Sequence, residues 1–200
     1  FPMDPLSKIS EDIHDLLFQC FDAKEVLELS EVSTNWNEKI GKSLTCMKKI
    51  KFALKFWKTS VGTKQQQTEE NIKIIQNTTR CYQFVSVDCR FDKNLSLEFW
   101  NLLEFLSRSI VELSMKSIKL DLPTALTLPK LRILKLTYVQ TNVRDILLNS
   151  TGLLTKVKLK MESPLYFVNK IESDHSYIRN FVEHNDQLQE LEIYGSAHYK

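Results

Sequence analysis

Leu131-Arg132-Ile133-Leu134-Lys135-Leu136-Thr137 is the stretch whose pattern decides the fold. Leu131, Leu134 and Leu136 are spaced L-x-x-L-x-L, and the last two alternate with polar residues as a half-buried strand does. The arrangement recurs on both sides. Upstream it is carried by Ile110, Leu113 and Met115, by Tyr82, Val85 and Val87, and by Met47, Ile50 and Phe52. Downstream it is carried by Leu154, Val157 and Leu159, then by Leu188, Leu191 and Ile193. The copies from Ile110 to Leu154 stand about 21–23 residues apart and the outermost ones near 34–35. Helix-like patterns fill the intervals at 69–76, 97–106, 143–148 and 177–183, and the polar stretch 59–67 predicts an insertion loop.

Strand and helix alternating at a recurring interval are what a solenoid requires. No single copy can bury its own apolar positions, so neighbours must stack and share a core. These six copies resemble an irregular leucine-rich-repeat stack, with parallel strands on one side and helices on the other. The Asn that commonly follows the strand in that family is absent, with Ser117 or Val139 standing nearby. A small parallel α/β domain fits the same pattern.

The resemblance implies that residues between the apolar positions line a concave face. That face would carry Ser86, Asp88, Glu112, Ser114, Thr137 and Glu190 around a candidate target-binding set. The set is Lys116, Lys135, Tyr138, Lys156, Lys158, Lys160, Glu192 and Tyr194. Its middle is basic and would suit an acidic or phosphorylated segment. Lys alternating along a strand also describes an ordinary solvent face that resists edge aggregation.

Residues 1–45 differ from the rest. They carry nine acids and four bases, a net of −5, inside a chain whose total is +2. Three short helices are expected there. Ser10 precedes the first, with Glu11 and Asp12 in its opening turn, where carboxylates favour the helix dipole. Asp22 precedes the second, and Ser33 the third, which runs through Trp36 and Ile40 to a stop at Gly41. A helical module this small makes a poor core alone. Its apolar residues also occupy more of each helix than three helices can bury, so it is expected to complete its core against a partner.

Ile9-Ser10-Glu11-Asp12-Ile13, Leu16-Leu17, Phe21-Asp22, Lys24-Glu25-Val26-Leu27 and Leu29-Ser30-Glu31-Val32-Ser33 with Trp36 resemble an F-box. The Val32-Ser33 and Trp36 ending is the most specific part. Ile9-Ser10 replaces the usual Leu-Pro, and Val26 stands where Leu is common. The resemblance implies an F-box over 5–43, followed by irregular leucine-rich repeats over 44–200. It implies docking on the Skp adaptor, and through it on a cullin–RING scaffold, by Ile9, Ile13, Leu16, Leu17, Phe21, Val26, Leu27, Val32 and Trp36, in contact or in support. Function then follows as the substrate-recognition subunit of a ubiquitin ligase, bridging adaptor and target without a catalytic residue of its own. The alternative is a non-ligase protein that binds or sequesters the adaptor.

The remaining residues point away from other classes. Four Gly form neither GxGxxG nor GxxxxGK, and no HExxH or nucleophile elbow occurs. Asp174-His175-Ser176 has triad residue types, yet adjacency in sequence is not triad geometry. His14 is expected as an exposed polar residue of the first helix. Cys20, Cys46, Cys81 and Cys89 lack zinc-site spacing, so neither metal nor cofactor is expected. Cys46 and Cys81, beside apolar runs, are expected to be buried. A charge of +2 gives no argument for nucleic acid. No apolar run suits a membrane, and the first five residues lack the regions of a secretory signal. Cytoplasmic or nuclear residence is expected from the unpaired thiols.

Overall fold

The computed structural model describes residues 5–57, 80–90, 97–117, 127–138, 153–161 and 176–195. A 3-10 turn, Pro5–Lys8, leads into four helices: α1 (Glu11–Gln19), α2 (Ala23–Ser30), α3 (Thr34–Lys42) and α4 (Leu44–Met47). The strands are β1 (Lys51–Trp57), β2 (Phe84–Arg90), β3 (Glu112–Lys116), β4 (Ile133–Thr137), β5 (Lys156–Met161) and β6 (Glu190–Gly195). Helix α5 (Leu97–Leu106) lies between β2 and β3, and α6 (Ser176–Glu183) between β5 and β6. The patterns at 97–106 and 177–183 therefore fall on helices. Those at 69–76 and 143–148, and the loop at 59–67, lie outside the described residues.

Local chemistry sets the helix starts. Asp22 Oδ1 accepts from the N–H groups of Lys24 (2.7 Å) and Glu25 (2.9 Å), while Glu25 Oε2 accepts from the Asp22 N–H at 2.7 Å. This reciprocal box satisfies donors that the first turn leaves without intrahelical partners. Ser33 Oγ accepts from the Trp36 N–H at 3.2 Å and starts α3. Ser10 has extended backbone before α1 but makes no side-chain cap bond. The expected stop at Gly41 is not one. Helix α3 runs to Lys42, and buried Gly41 brings its carbonyl to the Cys81 N–H at 3.1 Å.

Helix α4 packs on α1 and α3, so the helical module reaches Met47. Ser43 starts α4 by accepting from the Cys46 N–H at 3.3 Å, and its hydroxyl donates to Asp15 Oδ1 at 2.6 Å. His14, expected at the surface, is buried. Its Nε2 lies 3.0 Å from the Leu6 carbonyl oxygen, and its ring stacks on Phe18. The polar imidazole can sit inside because that carbonyl satisfies it.

The six strands form one parallel sheet in chain order. Two apolar columns cross it in register: Phe52, Val85, Leu113, Leu134, Val157 and Leu191, then Leu54, Val87, Met115, Leu136, Leu159 and Ile193. The first copy is thus corrected by two residues. Phe52 and Leu54 fill its strand positions, while Met47 lies in α4. Strands β3 to β6 are entered in the same way. The Gln83 carbonyl accepts from the N–H groups of Val111 (2.8 Å) and Glu112 (2.9 Å). The carbonyls of Val111, Arg132 and Thr155 do likewise toward the strand that follows.

Parallel sheets are ordinarily covered on both faces. Among the described residues, β3 and β4 alternate buried with half-buried positions, so one face of these strands is sealed more fully than the other. Leu102, Leu103 and Leu106 of α5 and Phe181 of α6 join the strand columns in a single core, which continues into Leu6, Phe18, Val26 and Ile40 of the helical module.

Polar contacts tie the two parts together. Lys49 Nζ donates to the carbonyls of Phe18 (2.9 Å), Gln19 (3.0 Å) and Phe21, where a cation suits the end of α1. Arg80, ahead of β2, donates through Nη2 to Ser30 Oγ at 2.8 Å and Asn37 Oδ1 at 2.9 Å.

Candidate functional site: two interaction surfaces

The first surface is apolar and belongs to the helices. Ile13 (52% exposed) and Leu16 (62%) stand out from α1. Leu16 is two residues from both His14 and Phe18, hence about 200° round the helix from each buried side chain. Helix α1 can therefore bury one face inside the chain and must leave the other outside. Leu27 on α2 and Val32 just beyond it are also exposed, Val32 at 65%. Leu44 at the start of α4 is 58% exposed and joins this group of candidates. Sequence reading placed it in the second module. The available signal was an apolar residue directly after a cap-forming Ser.

The other helix candidates are placed differently. Leu17, Phe21 and Trp36 are half-buried against the core, and Ile9 is half-buried. Trp36 lies with its ring centroid 6.4 Å from that of Phe18. Val26 is fully enclosed and supports the helices from within. The nine candidates thus divide into an outward set of Ile13, Leu16, Leu27 and Val32, a set of Leu17, Phe21, Val26 and Trp36 that holds the module together, and half-buried Ile9.

The second surface is the polar face of the sheet. Three rows cross it in register. One runs Lys51, Phe84, Glu112, Ile133, Lys156, Glu190, and the next runs Ala53, Ser86, Ser114, Lys135, Lys158, Glu192. The third runs Asp88, Lys116, Thr137, Lys160, Tyr194 along the carboxyl rim. The expected basic middle is largely neutralised. Lys135 pairs with Glu112 at 2.7 Å. Lys158 pairs with Glu192 at 2.6 Å and Glu190 at 2.9 Å, and Lys156 pairs with Glu190. Parallel register sets these partners on adjacent strands, a pairing invisible from one strand alone.

The pairing shifts the titrations. Contact with Glu192, then the Lys156 and Lys158 ammoniums, pull the Glu190 carboxyl down to about 2. Glu192, then Glu190, push Lys158 upward. The Tyr194 hydroxyl donates to Glu192 Oε2 at 3.1 Å, and that carboxylate raises the phenol. Lys116 and Lys160 have no ion-pair partner among the described residues. Lys160 Nζ lies 5.3 Å from the centroid of the Tyr138 ring. All eight sheet candidates thus share one face and its rim.

Among the described residues, no group of three or more His, Cys, Asp and Glu side chains is placed to hold a metal ion. None of the described helices is long and apolar enough to cross a membrane. Cys46 is buried, and burial raises its thiol pKa. Cys81, expected inside, is exposed, as is Cys20. No protein-family model matches the chain, and neither a curated protein nor a solved structure does.

Proposed function

We propose that the chain is the substrate-recognition subunit of a cullin–RING ubiquitin ligase, with an F-box at its N-terminal end and a leucine-rich-repeat stack after it. The observation that carries the reading is the outward apolar face of α1, formed by Ile13 and Leu16 on the side away from buried His14 and Phe18. Exposed Leu27 and Val32, both in the F-box-like stretch, add to it. Such side chains gain from burial in a groove of a second protein, the Skp adaptor. The parallel sheet in chain order, with the same carbonyl accepting two N–H groups at successive strand entries, supports the repeat reading. Its polar face is where the target would be held.

In this reading the chain supplies proximity. The adaptor end joins the ligase, the sheet face holds a target, and the effective concentration of target near the charged ubiquitin carrier rises. Bond-forming chemistry belongs to the other subunits. The contacts of Lys49 and Arg80 serve this role, since they fix the helices relative to the sheet.

Co-expression with the Skp adaptor, followed by size-exclusion chromatography, tests the reading. A stable one-to-one complex is expected. A well-behaved monomer that ignores the adaptor overturns it.

A further inference from the structure

We infer that the polar face of the sheet binds a carboxylate of an extended protein segment at Lys160, between Tyr138 and Tyr194. This deepens, and rests on, the target-binding reading of that face.

The argument begins with charge. Lys135, Lys156 and Lys158 are occupied by Glu112, Glu190 and Glu192. Besides Lys51 on the edge strand β1, whose row neighbour is Phe84, two lysines of the face are left without ion-pair partners among the described residues, Lys116 and Lys160. They are not equivalent. Lys116 stands in register beside Asp88, so an acid already shares its row. The row neighbours of Lys160 are Thr137 and Tyr194, neither of which carries a negative charge. Lys160 is exposed, and among the described residues no ion pair offsets its charge.

Its surroundings favour a binding role. The Tyr138 ring lies 5.3 Å from the ammonium, and Tyr194, 54% exposed, stands on the opposite side in the strand register. Tyrosines offer broad contact at small entropic cost, and they are enriched where interface energy concentrates. The Tyr194 hydroxyl is held by Glu192, which steadies that side chain before a ligand arrives.

Charge also limits the ligand. Glu190 and Glu192 are already offset by Lys156 and Lys158, so the ammonium of Lys160 presents a single positive charge between the two rings. A monoanion matches that charge, whereas a phosphate dianion leaves one of its charges unmatched. The partner is therefore a protein segment presenting an aspartate or glutamate, flanked by residues that lie against the two rings.

Fluorescence anisotropy on the full chain tests this with two fluorescein-labelled nonapeptides, one with three glutamates spaced by alanines and one with glutamines in their place. The glutamate probe should bind, and the glutamine probe should bind at least about tenfold more weakly. Lys160→Met should weaken the glutamate probe at least about tenfold, while Lys24→Met, on α2 of the helical module, should leave it unchanged. Circular dichroism checks that both variants fold, as expected for exposed lysines. Equal binding of the two probes, binding of neither, or no loss in Lys160→Met overturns the inference. So does a phosphoserine version of the probe that binds better than the glutamate one. Adaptor complex formation, read on the same preparations, reports on the helical face separately. A chain that ignores the adaptor but binds the glutamate probe refutes the ligase role and leaves the carboxylate site standing.

Discussion

Ser117 and Tyr138 occupy the same place after successive strands and share a left-handed backbone, with φ of 58° and 54°. Each passes its N–H to the next strand, Ser117 to the Thr137 carbonyl at 2.8 Å and Tyr138 to the Lys160 carbonyl at 2.6 Å. The chain thus leaves β3 and β4 by one repeated turn. Gly and Asn are the residues that adopt this region readily, and neither is present. The repeat therefore stores strain of roughly 1 kcal/mol or more at each position. At Tyr138 the same turn sets the ring against Lys160.

Substitution at Ser117 should expose that strain. Ser117→Asn should stabilise the fold by roughly 0.5 kcal/mol, because Asn tolerates the left-handed region. Ser117→Val should destabilise it by about 1–2 kcal/mol, because a β-branched side chain there is a true outlier. Urea denaturation decides it through shifts of the midpoint in opposite directions at unchanged slope.

The repeat was legible in the sequence wherever an apolar column was regular. Val85, Leu113, Leu134 and Val157 fell into register as their spacing predicted. The first copy slipped because Met47 and Ile50 are also apolar, and periodicity cannot separate a helix end from a strand start over so few residues. His14 was misplaced because its partner is a backbone carbonyl eight residues away, which no side-chain pattern reports. The sheet candidates were found, yet their charge was misjudged. Lys158 and Glu192 are 34 residues apart in sequence and meet only through parallel register. Leu44 was missed because its exposure depends on how α4 packs.

Lys49 and Arg80 should couple the helices to the sheet. Lys49→Met removes the donor to three carbonyls at the end of α1 and should cost about 1–3 kcal/mol. Arg80→Ala withdraws a guanidinium from Ser30 and Asn37 and should cost a similar amount, about 1–3 kcal/mol. Trp36 is the natural fluorescent reporter of the helical module, although the other two tryptophans add background. Thermal unfolding followed by fluorescence and by far-ultraviolet circular dichroism should coincide in the wild type and separate in the double variant. Coincident curves in the double variant would locate the coupling in the shared apolar core instead.

The Glu190 ladder should give an acid-sensitive increment of stability. The folded carboxyl titrates at about 2, against an ordinary value of 4.5. A depressed folded value means that the increment is fully present above 4.5 and is lost as pH falls toward 2. The melting-temperature difference between wild type and Glu190→Gln should therefore be constant above about pH 5 and shrink steadily below it. Added salt should reduce it at neutral pH, because the network is exposed to solvent. A difference that grows on acidification would contradict the assignment.

Docking of the adaptor is best tested at Leu16 rather than at Trp36. Trp36 packs on Phe18, so a charge there damages the module itself and confuses loss of fold with loss of binding. Leu16 faces outward on α1, and Leu16→Asp should leave the melting temperature nearly unchanged. It should nevertheless abolish the adaptor complex, because burying an unpaired carboxylate at an interface costs several kcal/mol. Leu44→Asp asks whether the docking face extends onto α4. The Ser43–Asp15 hydrogen bond holds the start of α4 beside α1, so that variant should weaken the complex while Lys51→Met leaves it intact. Isothermal titration with the purified adaptor measures all three. Wild-type affinity in a folded Leu16→Asp variant would remove α1 from the interface, and with it the principal support for the adaptor reading.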